Sequence, residues 1–230
     1  MHFLELRALK VGVIVPAFQA SESLSKVVAE LIHVFPLDRI VVVDDGSTDD
    51  TAKTAENAGV ICLSHPQNRG KGAALRSGLV HARESGWQWA LTMDADGQHS
   101  PADVEHFMAH RPGKQTGILL GSRTRRGTPM PWHRRFSNSF SSYLVSRAAG
   151  RALGDAQCGF RAYRLDFLDH YPIEGRFEWE SQVLILCCRR GGEVENISVR
   201  TVYSGESSHM RLGRDTWRFL RMLGRTAWTR

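Results

Sequence analysis

The chain has 230 residues, 42% of them hydrophobic, four cysteines, and a formal charge of +6 with a pI near 9.5. That length supports one substantial core; no apolar run approaches the roughly 20 residues that span a bilayer, and Met1 to Lys10 lacks the apolar core of a signal peptide, so a cytoplasmic chain with one main domain is expected. Cys62, Cys158, Cys187 and Cys188 have no zinc spacing and make a poor disulfide framework, while the positive charge suits an anionic partner, whether nucleic acid, a nucleotide diphosphate or an anionic membrane.

Residues 11–15 form a continuous apolar run closed by Pro16, which reads as a buried strand. Leu24, Val27, Val28, Leu31 and Ile32 then recur at helical spacing behind Ser21 and Ser23. The alternation continues with strands over 40–43, 60–63 and 89–93, each followed by a helix, over 48–58, 71–85 and 101–110, and then a strand over 118–120. Such a rhythm predicts an α/β fold with a mostly parallel sheet flanked by helices, whose crevice lies at the carboxyl ends of the strands. Beyond Gly121 the rhythm changes. A basic loop over 122–131, a candidate lid or acceptor site, precedes a helix over 133–147. Residues 160–163 read as a strand, 179–188 as a helix in which Cys187 and Cys188 pack, and 197–202 as a further strand.

Chemistry collects at the strand ends. Asp94 and Asp96 leave the fourth strand one residue apart, an arrangement that can hold a divalent cation with hard oxygen ligands and leave positions open for a diphosphate. Asp44–Asp45–Gly46–Ser47 follows the second strand, where a carboxylate can accept hydrogen bonds from a base or ribose. Asn68–Arg69–Gly70–Lys71–Gly72 opens a helix, so its amides and two cations are expected to face phosphate. Each stretch alone reads equally well as a turn and helix cap, but with Pro16–Ala17–Phe18 after the first strand they make four strand ends in succession, which point to a nucleotide crevice. Gly70–Lys71–Gly72 lacks the phosphate-loop spacing and no dinucleotide glycine pattern follows the first strand, which removes kinase and dehydrogenase readings.

Six segments, PAFQASESL from Pro16, VVVDDGSTDDT from Val41, NRGKGAALRSGL from Asn68, MDADGQH from Met93, GSR from Gly121 and DAQCGFRAYR from Asp155, together resemble the family 2 glycosyltransferases. Within them the likeness is to the branch of dolichyl- and polyprenyl-phosphate mannosyl- and glucosyltransferases. The resemblance implies a GT-A (Rossmann-like) fold over residues 1–212, with Pro16, Phe18, Val43 and Asp45 around base and ribose. It places Asp94 and Ala95 by the ribose and sugar, and gives Asp96 and Gln98 the task of holding Mg²⁺ or Mn²⁺ against the diphosphate. Arg123 and Lys71 would face phosphate, Arg134, Arg135, Ser139 and Gln157 would lie by the acceptor, and His209 or Arg211 would close over the diphosphate. Inversion at the anomeric carbon follows from the same resemblance. The chain departs from the pattern at Gln19 and Ala20, where relatives usually carry asparagine and often glutamate.

Residues 213–230 form a basic amphipathic helix, with Arg214, Arg218, Arg221 and Arg225 on one face and Trp217, Leu220, Leu223 and Trp228 largely elsewhere. It suits either the headgroup region of an anionic membrane or packing on the domain. The preferred activity is metal-dependent sugar transfer from a GDP- or UDP-sugar to a polyprenyl phosphate, which needs no general base. If the acceptor is a hydroxyl of a glycan, glycolipid or small molecule, Asp155, Glu178 or Glu180 would take the proton, Asp155 above the other two, which read first as helix N-terminal acids. A nucleotidyltransferase lacks its glycine-rich loop here, and a nucleic-acid-binding module lacks a motif and a stacking platform.

Overall fold

The computed structural model describes residues 10–98, 101–110, 112–123, 132–168, 178–199, 219, 221–224 and 226; at 101, 102, 108 and 132–136 it describes the backbone alone. Seven strands form one sheet in the order β3-β2-β1-β4-β6-β5-β7. The strands are β1 (Val11–Ala17), β2 (Ile40–Asp44), β3 (Ile61–Ser64), β4 (Trp89–Thr92), β5 (Thr116–Arg123), β6 (Arg161–Arg164) and β7 (Glu193–Val199). Only β6 runs against its neighbours, β4 and β5; the other pairs are parallel. Because β6 is reversed, its first residue, Arg161, pairs with Thr92 near the carboxyl end of β4. The segment before it therefore enters the sheet at the edge where the parallel strands end.

The helices are α1 (Ser21–Leu31), α2 (Thr51–Asn57), α3 (Lys71–Glu84), α4 (Pro101–Ala109), α5 (Trp132–Ala149), the single turn α6 (Leu165–Leu168) and α7 (Glu178–Arg189). Strand alternation sorts the core into two layers. Val13, Val15, Val42 and Leu91 join Leu24, Val27 and Leu31 of α1 on one face, and Ile14, Val41, Val43 and Ala90 join Leu75 and Leu79 of α3 and Val183 and Leu184 of α7 on the other. Each of these buried valines, leucines and isoleucines contributes about 1.5–3 kcal/mol. A sheet covered on both faces explains why its first strands read as unbroken apolar runs.

Four boundaries differ from expectation, each for a local reason. Pro16 lies inside β1 rather than after it: β1 pairs with β4 only as far as Ile14, so the missing amide of Pro16 costs no ladder bond on that side. Helix α2 starts at Thr51 and not at 48, because the Thr48 and Asp49 amides donate to Gln19 Oε1 and the Thr51 amide to Asp49 Oδ1. Strand β7 begins at Glu193, four residues before the apolar signal at Ile197, since an edge strand can carry exposed acids. Strand β5 extends to both sides of its apolar triplet by pairing along β7.

The described part of the C-terminal helix packs on the domain. Met222 is buried, Phe219 and Leu223 lie against the α3–α7 layer, and Arg189 Nη1 donates to the Thr226 carbonyl at 2.6 Å, while Arg221 is exposed. Residues 213–218, 220, 225 and 227–230, with Arg214, Arg218 and Arg225, lie outside the described residues. Among the described residues, no helix is long and apolar enough to cross a membrane.

Candidate active site

At the carboxyl ends of β1, β2 and β3 the chain is knotted by backbone-directed hydrogen bonds. The Asp45 amide donates to the Ala17 carbonyl and the His65 amide to the Asp44 carbonyl, each at 2.8–2.9 Å. Gln19, one of the two residues that depart from the family pattern, has φ 51°, and its side chain is committed to Thr48 and Asp49. Phe18 is 42% exposed above this knot and Pro16 is half-buried. Val43 is fully buried in the α3 layer, so its side chain is core.

Asp45 is the hub. Its carboxylate, on a residue 2% exposed, accepts from His65 Nδ1 at 2.7 Å and the Arg69 amide at 3.0 Å through Oδ1, and from the Gly70 amide at 2.6 Å through Oδ2. Those amides, expected to face phosphate, point inward instead. The reason is local: Gly70 precedes α3 with φ 94°, a conformation open to glycine, and that turn aims its N–H at the carboxylate.

Lys71, the first residue of α3, also turns away from its expected role. Its Nζ lies 2.7 Å from Asp94 Oδ1 and 3.1 Å from Glu180 Oε2. Burial by itself would lower the pKa of this ammonium, but the two carboxylates outweigh it and hold the pKa above its ordinary value. Asp94 is closely backed: a Cβ at Gly159 would come within 2.9 Å of its Cγ. The Asp96 carboxylate accepts from the Gln98 amide at 3.0 Å, and Ala95 between the two acids is buried. Two hard oxygen donors, the Asp96 carboxylate and the Gln98 amide oxygen, suit Mg²⁺ or Mn²⁺. Among the described residues no three His, Cys, Asp or Glu side chains converge into a closed metal cage.

The segment before β6 forms the opposite wall. Arg123, at the end of β5, makes a two-pronged pair with Asp155, Nε to Oδ2 at 2.6 Å and Nη2 to Oδ1 at 3.1 Å, and the Gln157 amide also donates to Oδ1. Ser142 of α5 accepts from the Ala156 amide. Beneath them Arg161, 1% exposed, donates to the carbonyls of Cys158, Ala156 and Glu180. Its Nε is 4.0 Å from Glu180 Oε1, which is buried and has no hydrogen-bond partner among the described residues. Burial pushes the Cys158 thiol up to about 12, so it packs as an apolar group. Ser139 lies half-buried on α5.

The structure thus brings Asp45, Lys71, Asp94, Asp96, Arg123 and Asp155 to one edge of the sheet. His209 and Arg211 lie outside the described residues, as do residues 124–131 and the side chains of Arg134 and Arg135. Three residues that matter to the site were not given their observed places by sequence reasoning. Glu180 reads first as a first-turn acid in water, yet it is 8% exposed and pairs with Lys71. Arg161 carries no signal beyond its place in a motif, and His65 only its position one residue past a strand.

Comparison with known proteins follows the same segments. A model of glycosyl transferase family 2 matches residues 12–171. The chain is 29% identical over 214 residues to the UDP-N-acetylglucosamine–dolichyl-phosphate N-acetylglucosaminyltransferase of Methanococcus voltae, covering 83% of this chain and 85% of that one. It is 29% identical over 174 residues to the polyprenol monophosphomannose synthase of Mycolicibacterium smegmatis, covering 70% and 64%. Among solved structures it is similar to the glucosyl-3-phosphoglycerate synthase of Mycobacterium tuberculosis in complex with Mn²⁺, UDP-glucose and phosphoglyceric acid, with TM-score 0.79 and 20% identity over 99% of this chain and 84% of that one.

Proposed function

Because the chain belongs to glycosyl transferase family 2 and is a glycosyltransferase, we propose that it moves a sugar from a GDP- or UDP-sugar to a polyprenyl phosphate, with inversion at the anomeric carbon. One observation carries the choice of acceptor. Asp155, the base that a hydroxyl acceptor would call for, has both oxygens committed to Arg123, and an acceptor phosphate is already anionic and needs no base. The lipid phosphates in the names of the Methanococcus and Mycolicibacterium relatives support the same class.

In this reading Pro16 and Phe18 flank the base. Asp45 offers it at most one of the roughly four acceptor directions of a carboxylate, the others being taken. Asp94, held by Lys71, accepts from the ribose or sugar. Asp96 and Gln98 would hold the cation, which when bound supplies a Lewis acid for the departing diphosphate; the Mn²⁺ in the similar solved structure agrees with that. Arg123, fixed in place by Asp155, faces the developing negative charge, and Arg134, Arg135, Ser139 and Gln157 are the residues proposed to receive the acceptor phosphate. The protein's contribution is mainly to position two anions against each other.

Two measurements test this. Thermal stabilisation by UDP, GDP and dTDP, each with and without Mn²⁺, should single out one nucleotide whose effect depends on metal; no shift with any of them removes the donor site. Labelled sugar should then pass from the matching donor to a polyprenyl phosphate. Transfer to the unphosphorylated polyprenol instead would restore Asp155 as a base and overturn the acceptor.

A further inference from the structure

His65 is absorbed by none of the roles above, yet both its ring nitrogens are engaged. Nδ1 lies 2.7 Å from Asp45 Oδ1 and Nε2 lies 2.9 Å from Ser77 Oγ, and the His65 and Asp45 side chains are 8% and 3% exposed. A hydrogen bond from Nδ1 to the carboxylate leaves Nε2 to share a hydrogen bond with the Ser77 hydroxyl, which can serve as donor or acceptor. Serine, histidine and aspartate stand in the order of a nucleophilic triad. Ser77, however, lies in the middle of α3, where backbone amides are bonded within the helix and cannot form an oxyanion hole. The ring serves as a strut from the end of β3 to the body of α3.

What the strut holds is the Asp45 carboxylate. Oδ1 takes the imidazole and the Arg69 amide, and Oδ2 takes the Gly70 amide and keeps one further acceptor direction. Removal of the imidazole frees the carboxylate to rotate toward the amides or the crevice, and the turn over 68–70 loses its fixed point. We propose that His65 is a positioning residue for the nucleotide end of the donor site, fixing through Asp45 which carboxylate oxygen faces the nucleoside. This inference rests on the donor reading above.

Asparagine and glutamine separate the two ring contacts, since the asparagine amide nitrogen falls near Nδ1 and the glutamine amide nitrogen near Nε2. His65→Asn, His65→Gln and His65→Ala are compared with the unaltered protein by calorimetric titration with UDP and GDP in Mn²⁺, at a temperature where melting curves show every variant folded. Loss of a charge-assisted hydrogen bond predicts a dissociation constant roughly tenfold higher for His65→Ala and His65→Gln, with His65→Asn within about threefold of the unaltered protein. Unchanged affinity in all three, even with lower melting temperatures, makes His65 a structural residue only and overturns the proposal. Asparagine no better than glutamine overturns it as well. If the unaltered protein binds neither nucleotide, the donor reading itself falls and this inference with it.

Discussion

The two ends of the crevice are held by different kinds of bond. Around Asp45 the partners are backbone amides and an imidazole, all supplied by residues 45–77. At the other end, carboxylates meet cations brought from far along the chain: Lys71 with Asp94 and Glu180, Arg123 with Asp155, Arg161 beside Glu180. Fixed amides suit an end that grips the unreacting nucleoside. Ion pairs in a partly dry cleft suit the end where charge moves, because a preorganised field stabilises a developing charge without rearranging.

The difference can be broken most severely at Arg161. Arg161→Leu removes the donor to three buried carbonyls and one of the two cations beside Glu180, Lys71 remaining, so urea denaturation should show a loss of about 3–5 kcal/mol. Nucleoside diphosphate affinity of the folded fraction should stay within about twofold, as expected of independent sites; a large loss there would mean the two ends are one unit. Gly159→Ala is narrower. Its Cβ meets Asp94, and a displacement of that size should lower turnover about a hundredfold for a stability cost of about 1–3 kcal/mol. Turnover like that of the unaltered protein would show that Asp94 can give way without consequence.

The smallest effect belongs to a cluster beyond both ends. Glu195 of β7 accepts from His110, Thr116 and the Gly113 amide. Partial burial alone would raise its carboxyl, but those donors outweigh it and hold it below its ordinary value of 4.5. A lowered folded-state pKa contributes stability that is present above pH 4.5 and is lost as pH falls through the folded value. Glu195→Gln should therefore lower stability near neutrality by at most about 1 kcal/mol and flatten the acid limb of the stability curve. An unchanged acid limb would assign that limb to other carboxylates.

The sequence was most informative where bonds are local. The order of the strands along the chain, the helix from Lys71 and the loop after β4 follow from apolar runs and turn residues, all short-range signals. The partners of Lys71 are illegible for the complementary reason. A cation at a helix start predicts phosphate, and nothing in the spacing says that Glu180, on the last described helix of the domain, arrives to neutralise it. The inward amides of Arg69 and Gly70 escaped for a subtler one: their acceptor, Asp45, sits in a segment that by itself reads as a turn. Both faces of α7 being buried hid Glu180 in the same way, since an acid in a first turn ordinarily stands in water.

Strand β6 has a consequence for the order in which the molecule can be made. It lies between β4 and β5, although β5 precedes it in the chain. During synthesis β1 to β4 can pair as they emerge, but β5 has no seat beside β4 until residues 161–164 have been made. A nascent chain therefore carries the paired β1–β4 half next to an unpaired apolar strand, the kind of exposed edge that invites association with other chains. The segment that carries Asp155 into the crevice is also the piece that lets β5 join the sheet, so one short stretch completes a wall of the site and closes the gap in the sheet; β7 and Glu180 follow.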